Sequence, residues 1–289
     1  MSASMLACPA PAKLNLFLHV TGRRADGYHL LQSAFQLIDR CDTLDFRVRD
    51  DGQILRTNDV TGVPAETDLV IRAARLLREA AGRPELGADI SVNKNLPMGG
   101  GLGGGSSDAA TTFLVLNHLW QTGMSRSRLM ELGLQLGADI PFFLFGRNAF
   151  AEGVGETLSP LETANCWFVV IEPGVFVPTS IIFSSNQLTR DSKVVRITDF
   201  PDATNQIDSG FGRNDLEMVA TRHFPEIAEA VKWLSKFGNA RMTGSGACVF
   251  CAFKQEDEAD EVLKQMPSRW KSWKAKAMQE HPLAHLTSA

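Results

Sequence analysis

Pro97-Met98-Gly99-Gly100-Gly101-Leu102-Gly103-Gly104-Gly105-Ser106-Ser107-Asp108-Ala109-Ala110 is the stretch on which the reading of this chain turns. Six glycines in seven positions remove nearly every Cβ that would hold the backbone away from a ligand. The stretch follows Ala88-Asp89-Ile90-Ser91-Val92-Asn93, whose alternation of polar and apolar residues predicts a strand. It leads into the segment from Ala109 to Trp120, apolar and free of Gly and Pro, which predicts a helix. Unshielded amides and the positive end of a helix dipole at such a junction favour an anion. Ser106 and Ser107 fall at the helix start, where a hydroxyl can cap the helix or touch a phosphate or its metal ion. A flexible linker does not run between an alternating strand and an apolar helix, so the stretch reads as a polyphosphate loop.

Several kinds of phosphate loop are excluded by spacing. No G-x-x-x-x-G-K-[ST] occurs, so the Walker lysine is absent, and so is the protein-kinase pair H-R-D and D-F-G. Gly99, Gly101 and Gly104 satisfy the dinucleotide pattern G-x-G-x-x-G. That loop normally follows the first strand of its βαβ unit, whereas a whole strand-and-helix region precedes this one. A redox or non-catalytic dinucleotide-binding protein is the rival that the match leaves open; titrating NAD and ATP separately, with and without magnesium, separates the two.

Working outward, Ala12 to Val20 and Leu44 to Val48 alternate as strands, with a turn at Arg23-Arg24-Ala25-Asp26-Gly27. Asp68 stands as a cap before a helical pattern running to Leu77. In the second half, Trp167 to Ile171 and Ala247 to Phe253 predict strands, and 215–222, 227–236 and 257–265 predict helices. Residues 184–209 are polar and irregular, a long surface connection. Strands mixed with helices without strict alternation give an α+β fold in two lobes, residues 1–162 and 163–289, divided near Glu162. Residues 1–8 lack a basic start and an apolar stretch and read as a short disordered lead-in. Arg269 to Lys274, basic and aromatic, reads as an alternating edge strand with solvated lysines.

The bulk numbers narrow the function classes. A formal charge of -4 over 289 residues argues against a nucleic-acid footprint, and no apolar run is long enough to cross a bilayer. Five scattered cysteines fit a reducing compartment, with the cytoplasm the default. Cys248-Val249-Phe250-Cys251 is formally C-x-x-C, but within a strand that spacing turns the two side chains to opposite faces. The six histidines show no zinc-site spacing.

Phosphoryl transfer needs a held nucleotide, charge neutralisation and a positioned hydroxyl. Asp139, a carboxylate between apolar residues and fixed by Pro141, is a candidate base, or else a helix-terminal cap. Lys13, alone in an otherwise apolar strand, is a candidate cation, or else an ordinary edge lysine. Tyr28, the sole tyrosine, can stack on a base, and His29 beside it offers donor and acceptor capacity for a cytosine edge. Composition alone places Tyr28 and Phe183 in the core instead.

The glycine-rich stretch resembles the second motif of the GHMP kinases, P-x-x-x-G-L-G-S/G-S-S. Pro11-Ala12-Lys13-Leu14-Asn15-Leu16 is similar to the first motif, and Thr243-Gly244-Ser245-Gly246-Ala247-Cys248-Val249-Phe250 to the third. Arg24-Ala25-Asp26-Gly27-Tyr28-His29 and Gly137-Ala138-Asp139-Ile140-Pro141-Phe142-Phe143 resemble the diphosphocytidyl-methylerythritol kinase branch. The resemblance covers nearly the whole chain. It implies a two-lobed fold, with an N-terminal ATP-binding lobe and a C-terminal α/β-sandwich lobe contributing to the substrate site. It implies ATP as phosphoryl donor with Mg²⁺, and transfer to the 2-hydroxyl of a cytidine diphosphate derivative in non-mevalonate isoprenoid synthesis. Asp139 would take the substrate proton and Lys13 would orient it and stabilise charge. Tyr28, His29 and Phe183 would hold the cytidine and Asn15 another polar part of the substrate. Lys94 would lie near the nucleotide, and Ser107 would be the protein contact to the metal. Asp68 stands where the resemblance leads one to expect Asn near the adenine; a carboxylate accepts hydrogen bonds and donates none.

Overall fold

A computed structural model describes residues 3–287. In chain order the N-terminal half contains strands β1 (Ser4–Arg23), β2 (His29–Arg49) and β3 (Ile54–Arg56), helix α1 (Leu69–Ala81), strand β4 (Gly87–Asn93), helices α2 (Gly104–Leu119), α3 (Arg126–Leu134) and α4 (Ile140–Phe145), and strands β5 (Ala149–Glu152) and β6 (Thr157–Pro160). The second half contains β7 (Trp167–Glu172), α5 (Thr179–Ser184), α6 (Glu217–His223), α7 (Pro225–Leu234), β8 (Arg241–Met242), β9 (Val249–Phe253), α8 (Glu256–Lys264) and β10 (Lys271–Met278).

The long strand β2 organises the molecule. It pairs antiparallel with β1, β4, β5 and β10 at successive places along its length. Through β10 the sheet continues to β7, β9 and β8, so the two halves share one sheet. On one side of the N-terminal strands, α1, α2 and α4 bury a core that includes Phe46, Phe113, Phe142 and Phe143. In the second half α6, α7 and α8 pack on β7 and β9 around Val169, Ile171 and Leu234, joined by Leu18 and Val20 of β1.

Local chemistry accounts for the helix ends. Asp68 accepts a hydrogen bond from the Val70 amide at 2.9 Å and caps α1, which stops at Gly82 with a left-handed φ of 63°. Helix α2 is buried on all sides from Ser107 to Asn117, which is why its sequence is apolar without a polar stripe. It begins at Gly104, five residues before the apolar run at Ala109, so the loop's last glycines already form its first turn.

Two expectations, the loose lead-in and the solvated lysines, are corrected, and the rival dinucleotide reading fails. Ser4 to Cys8 are not a loose lead-in: they begin β1 and pair with β2, Ser4 opposite Arg47 and Cys8 opposite Leu44; Met1 and Ser2 lie outside the described residues. Lys271 to Lys274 have β7 alone beside them, since β2 joins β10 only at Ala277 and Met278, so this stretch is an edge as expected, but its lysines are not all free in solvent. Lys274 there is paired with Glu256 and Asp260 of α8 at 2.6 and 2.7 Å, a partnership between residues distant enough in sequence to leave no local signal. The dinucleotide reading fails on topology: α2 leads from the glycine loop to α3 and α4 and not to a parallel strand beside β4, whose neighbours are the antiparallel β2 and the earlier strand β3. As the strand spacing requires, Cys248 and Cys251 pack in different cores on opposite faces of the sheet.

Candidate active site

Strand β1 lies against the glycine loop, with the Lys13 amide donating to the Leu102 carbonyl at 2.9 Å. The strand's alternation turns Lys13 and Asn15 to the same side. Lys13 is 3 % exposed and its ammonium sits 5.1 Å from the centre of the Phe35 ring. Burial pushes its pKa below the usual lysine value, and the nearby Asp139 carboxylate opposes that fall. Lys13 Nζ donates to Asn15 Oδ1 at 2.5 Å and stands 3.7 Å from Asp139 Oδ2. Asn15 Nδ2 in turn donates to Ser33 Oγ at 2.9 Å, which fixes the orientation of the amide.

The third motif closes on the first two. Thr243 Oγ1 accepts from the Asn15 amide at 3.0 Å, and Asn15 Oδ1 and the Gly101 carbonyl each lie 3.3 Å from it as acceptors for its proton. Gly101 has a φ of 74°, and a Cβ there would lie 2.1 Å from the Thr243 carbonyl oxygen. No side chain fits between these two backbones. The Ala247 and Cys248 amides complete the junction by donating to Gly99 and Gly100.

Asp139 occupies the cap position of α4, yet its side chain makes no capping hydrogen bond. Its carboxylate is 39 % exposed, turned to the cleft beside a lysine that is nearly inaccessible. The cap alternative is thereby set aside on geometry.

Two clefts meet at this pair. One, of about 480 Å³, is lined by Gly99 to Gly105, Lys94, Asp68 and Asp108. The other, of about 750 Å³, is lined by Asn15, Tyr28, His29, Ser33 and Phe183. Lys13, Ser106, Asp139, Thr179, Gly244 and Ser245 border both. In the first cleft Lys94 is clamped between Asp42 and Asp108, the latter at 2.7 Å. Asp42 Oδ1 also accepts the Asn95 and Leu96 amides, fixing the chain as it approaches the loop. Burial pushes the Asp108 carboxyl up to about 7, against the opposing pull of Lys94, and its Oδ1 has no hydrogen-bond partner. Asp68 faces the same cleft, its carboxylate paired at 2.7 Å with the buried Arg56, which does not itself line the cleft.

In the second cleft Tyr28 is 65 % exposed and Phe183 is half-buried at the wall, so neither is a core residue. The rings of His29 and Phe183 are 5.0 Å apart. Arg190, in the irregular segment, donates to His29 Nε2 at 3.0 Å; nothing in the sequence around it points to this. Asp42, Asp108 and Arg56 were equally unmarked, because a lone charged residue carries no spacing. Ser107 differs from its expected position: it borders neither cleft, and its Oγ is buried without a partner. One residue is about 100° of helical rotation, and this turns Ser106 to the clefts and Ser107 into the core. No group of three or more metal-binding side chains converges among the described residues.

The comparisons with known proteins agree with this geometry. Residues 68–147 match the GHMP kinases N terminal domain, and residues 201–272 match GHMP kinases C terminal. A 4-diphosphocytidyl-2-C-methyl-D-erythritol kinase of Janthinobacterium sp. (strain Marseille) is 66 % identical, over 99 % of each chain. One from Azoarcus sp. (strain BH72) is 59 % identical over 98 % of each. A crystal structure of 4-(cytidine 5'-diphospho)-2C-methyl-D-erythritol kinase superposes with a TM-score of 0.79 at 34 % identity, over 95 % of this chain and 99 % of that one. The chain belongs to the 4-diphosphocytidyl-2-C-methyl-D-erythritol kinase family of the GHMP kinases.

Proposed function

We propose that the chain transfers the γ-phosphoryl group of ATP to the 2-hydroxyl of 4-diphosphocytidyl-2-C-methyl-D-erythritol, a step of non-mevalonate isoprenoid synthesis. The observation that carries this reading is that a glycine-lined cleft and an aromatic-walled cleft share Lys13, Ser106 and Asp139 at their junction. The triphosphate lies along Gly99 to Gly105 at the start of α2, where backbone amides and the helix dipole meet its charge. Its base lies toward Lys94 and Asp68. The cytidine lies among Tyr28, His29 and Phe183, and the methylerythritol reaches Asn15 and the junction.

Asp139 accepts the proton of the attacking hydroxyl. Lys13 holds that carboxylate in place and offsets charge growing on the transferred group; its buried position strengthens both effects. Asn15, tied to Lys13, Ser33 and Thr243, holds the ammonium in one position. Water is displaced when both clefts are filled. The two lobes, residues 1–162 and 163–289, contribute opposite walls.

Magnesium is the expected companion of the triphosphate. No cluster of metal-binding side chains is present among the described residues, so phosphate oxygens and water would supply most of its ligands, as suits a hard cation. Ser106 is better placed than Ser107 to add a protein hydroxyl, since it alone of the two borders the junction. When bound, the ion supplies neutralisation of the phosphate charge. We further read the protein as cytoplasmic, acting on a small molecule and not on nucleic acid or membrane; no helix of the described residues is long and apolar enough to cross a membrane.

A coupled ADP-release assay tests the proposal. Turnover with 4-diphosphocytidyl-2-C-methyl-D-erythritol and none with homoserine, mevalonate or galactose is expected. The reverse pattern refutes it.

A further inference from the structure

His29 is the first residue of β2, and its ring borders the aromatic-walled cleft beside Phe183. Arg190 reaches it from the irregular segment that follows α5. The guanidinium is held from three sides by main-chain oxygens: Nη1 donates to Leu188 at 3.1 Å, and Nη2 to Phe183 and Ser185 at 3.0 and 2.9 Å. Of the two donors that remain, Nε–H donates to His29 Nε2 at 3.0 Å. One side chain thus ties the Phe183 backbone and the His29 ring together, two walls of the same subsite from opposite halves of the chain.

The chemistry of that contact has a consequence for the ring. A guanidinium carries donors only, so His29 Nε2 must be the acceptor, with its lone pair free of a proton. In a neutral imidazole the proton then resides on Nδ1. Among the described residues no protein group accepts a hydrogen bond from Nδ1. Burial, and after it the cations Arg190 and Arg23, hold the ring's pKa below the usual histidine value and favour the neutral form. The one carboxylate lining the cleft on that side, Asp26, is engaged by Arg24 at 2.7 Å and by the Tyr28 amide at 3.2 Å.

We propose that Arg190 is a positioning residue that fixes His29 as the Nδ1–H tautomer and thereby makes the base subsite select cytosine over uracil. Cytosine N3 is an acceptor and can receive a hydrogen bond from Nδ1–H. Uracil N3 carries a proton, so the same approach sets donor against donor. Without Arg190 the ring is free to move its proton to Nε2, and Nδ1 then accepts from a uracil N3–H. The base preference follows from a side chain that need not touch the base. This rests on the cytidine reading of the cleft given above.

Two measurements test it. The ¹⁵N resonances of the His29 ring, recorded on the unliganded full-length protein, are expected to show Nδ1 protonated and Nε2 bare; an Nε2–H tautomer overturns the proposal. The second compares kcat/KM for the 4-diphosphocytidyl substrate and its 4-diphosphouridyl analogue. In Arg190→Met the cytidine-to-uridine ratio should fall by at least about tenfold, mainly through KM, because the discrimination depends on one oriented donor. In Arg190→Lys, which keeps a donor, part of the ratio should return. In the Met variant the acidic rise of KM for the cytidine substrate should also move to higher pH, as the ring loses a neighbouring cation. An equal loss for both substrates marks a merely structural role and contradicts the proposal, as does an unchanged ratio. If the native chain turns over neither substrate, the cytidine reading itself fails, while the resonances still report the tautomer.

Discussion

Lys13 and Asp139 stand 3.7 Å apart with opposite accessibility: the lysine side chain is 4 % exposed and the aspartate 39 %. The asymmetry suits the roles proposed for the two groups. The group that must meet a substrate hydroxyl is open to the cleft, and the group that must hold a charge in a low-dielectric setting is enclosed. An enclosed ammonium is retained at a desolvation penalty that its neighbours Asn15, Asp139 and the Phe35 ring only partly offset.

Lys13→Met should therefore keep the fold, with stability equal to or above that of the native chain, and lose about 10²–10³-fold in kcat. Urea melts combined with steady-state kinetics check both halves. A variant that unfolds, or one that retains its kcat, contradicts the assignment.

The approach of Gly101 to Thr243 predicts a steep glycine effect. Gly123 has a φ of 67° with nothing within 4 Å of a built Cβ, so Gly123→Ala should cost about 1–2 kcal/mol from backbone conformation alone. Gly101→Ala adds a collision with a carbonyl oxygen to a similar φ, and should be clearly less stable as well as raising the KM for ATP. Thermal melts of the two variants side by side, with ATP titrations, make the comparison.

Thr243 joins all three motifs through one hydroxyl, which separates serine from valine at this position. Thr243→Val leaves the buried Asn15 amide without its acceptor and should cost about 1–3 kcal/mol. Thr243→Ser keeps the hydroxyl and should lose less than about half of that. Denaturant unfolding of both variants gives the answer, and equal losses would remove the hydroxyl from the account.

Acid stability should reflect His281, which is 2 % exposed and accepts the Leu283 amide at Nδ1. Burial and Arg126 push its pKa down to about 3. In the unfolded chain the ring takes a proton near pH 6.5, so between about 6.5 and 3 the unfolded state binds more protons than the folded one. Stability from this group is thus fully present above that window and is lost as pH falls, by up to about 1.4 kcal/mol per pH unit. His281→Asn, which keeps an acceptor near the Nδ1 position and has no charge to gain, should flatten the slope between pH 6.5 and 4.5 in urea melts.

What could be read from the sequence was local. The glycine loop was legible because the missing side chains themselves mark it, and the helix start at Asp139 was legible through Pro141 in its first turn. The remainder depended on contacts between distant residues. Arg190 meets His29 across 161 positions, and Asp42 meets Lys94 across 52. Neither pairing has a period or a spacing. Tyr28 and Phe183 were ambiguous because an aromatic on a cleft wall and one in a core have the same composition signature. In β10 the alternation gave the edge position of Lys271 to Lys274 but not the carboxylates of α8 that hold Lys274. Ser107 lies in the core while Ser106 borders the clefts, since motif matching fixes the turn of the helix but not which hydroxyl faces outward.

In the proposed mechanism phosphoryl transfer occurs where the two clefts meet, with Asp139 as the base. Single-turnover transfer from ATP by Asp139→Asn tests this most directly, measured beside ATP binding by the same variant. ATP affinity within about threefold of the native chain and a chemical step slowed by about 10²–10⁴-fold are expected. A chemical step at the native rate, with ATP binding intact, would contradict the account.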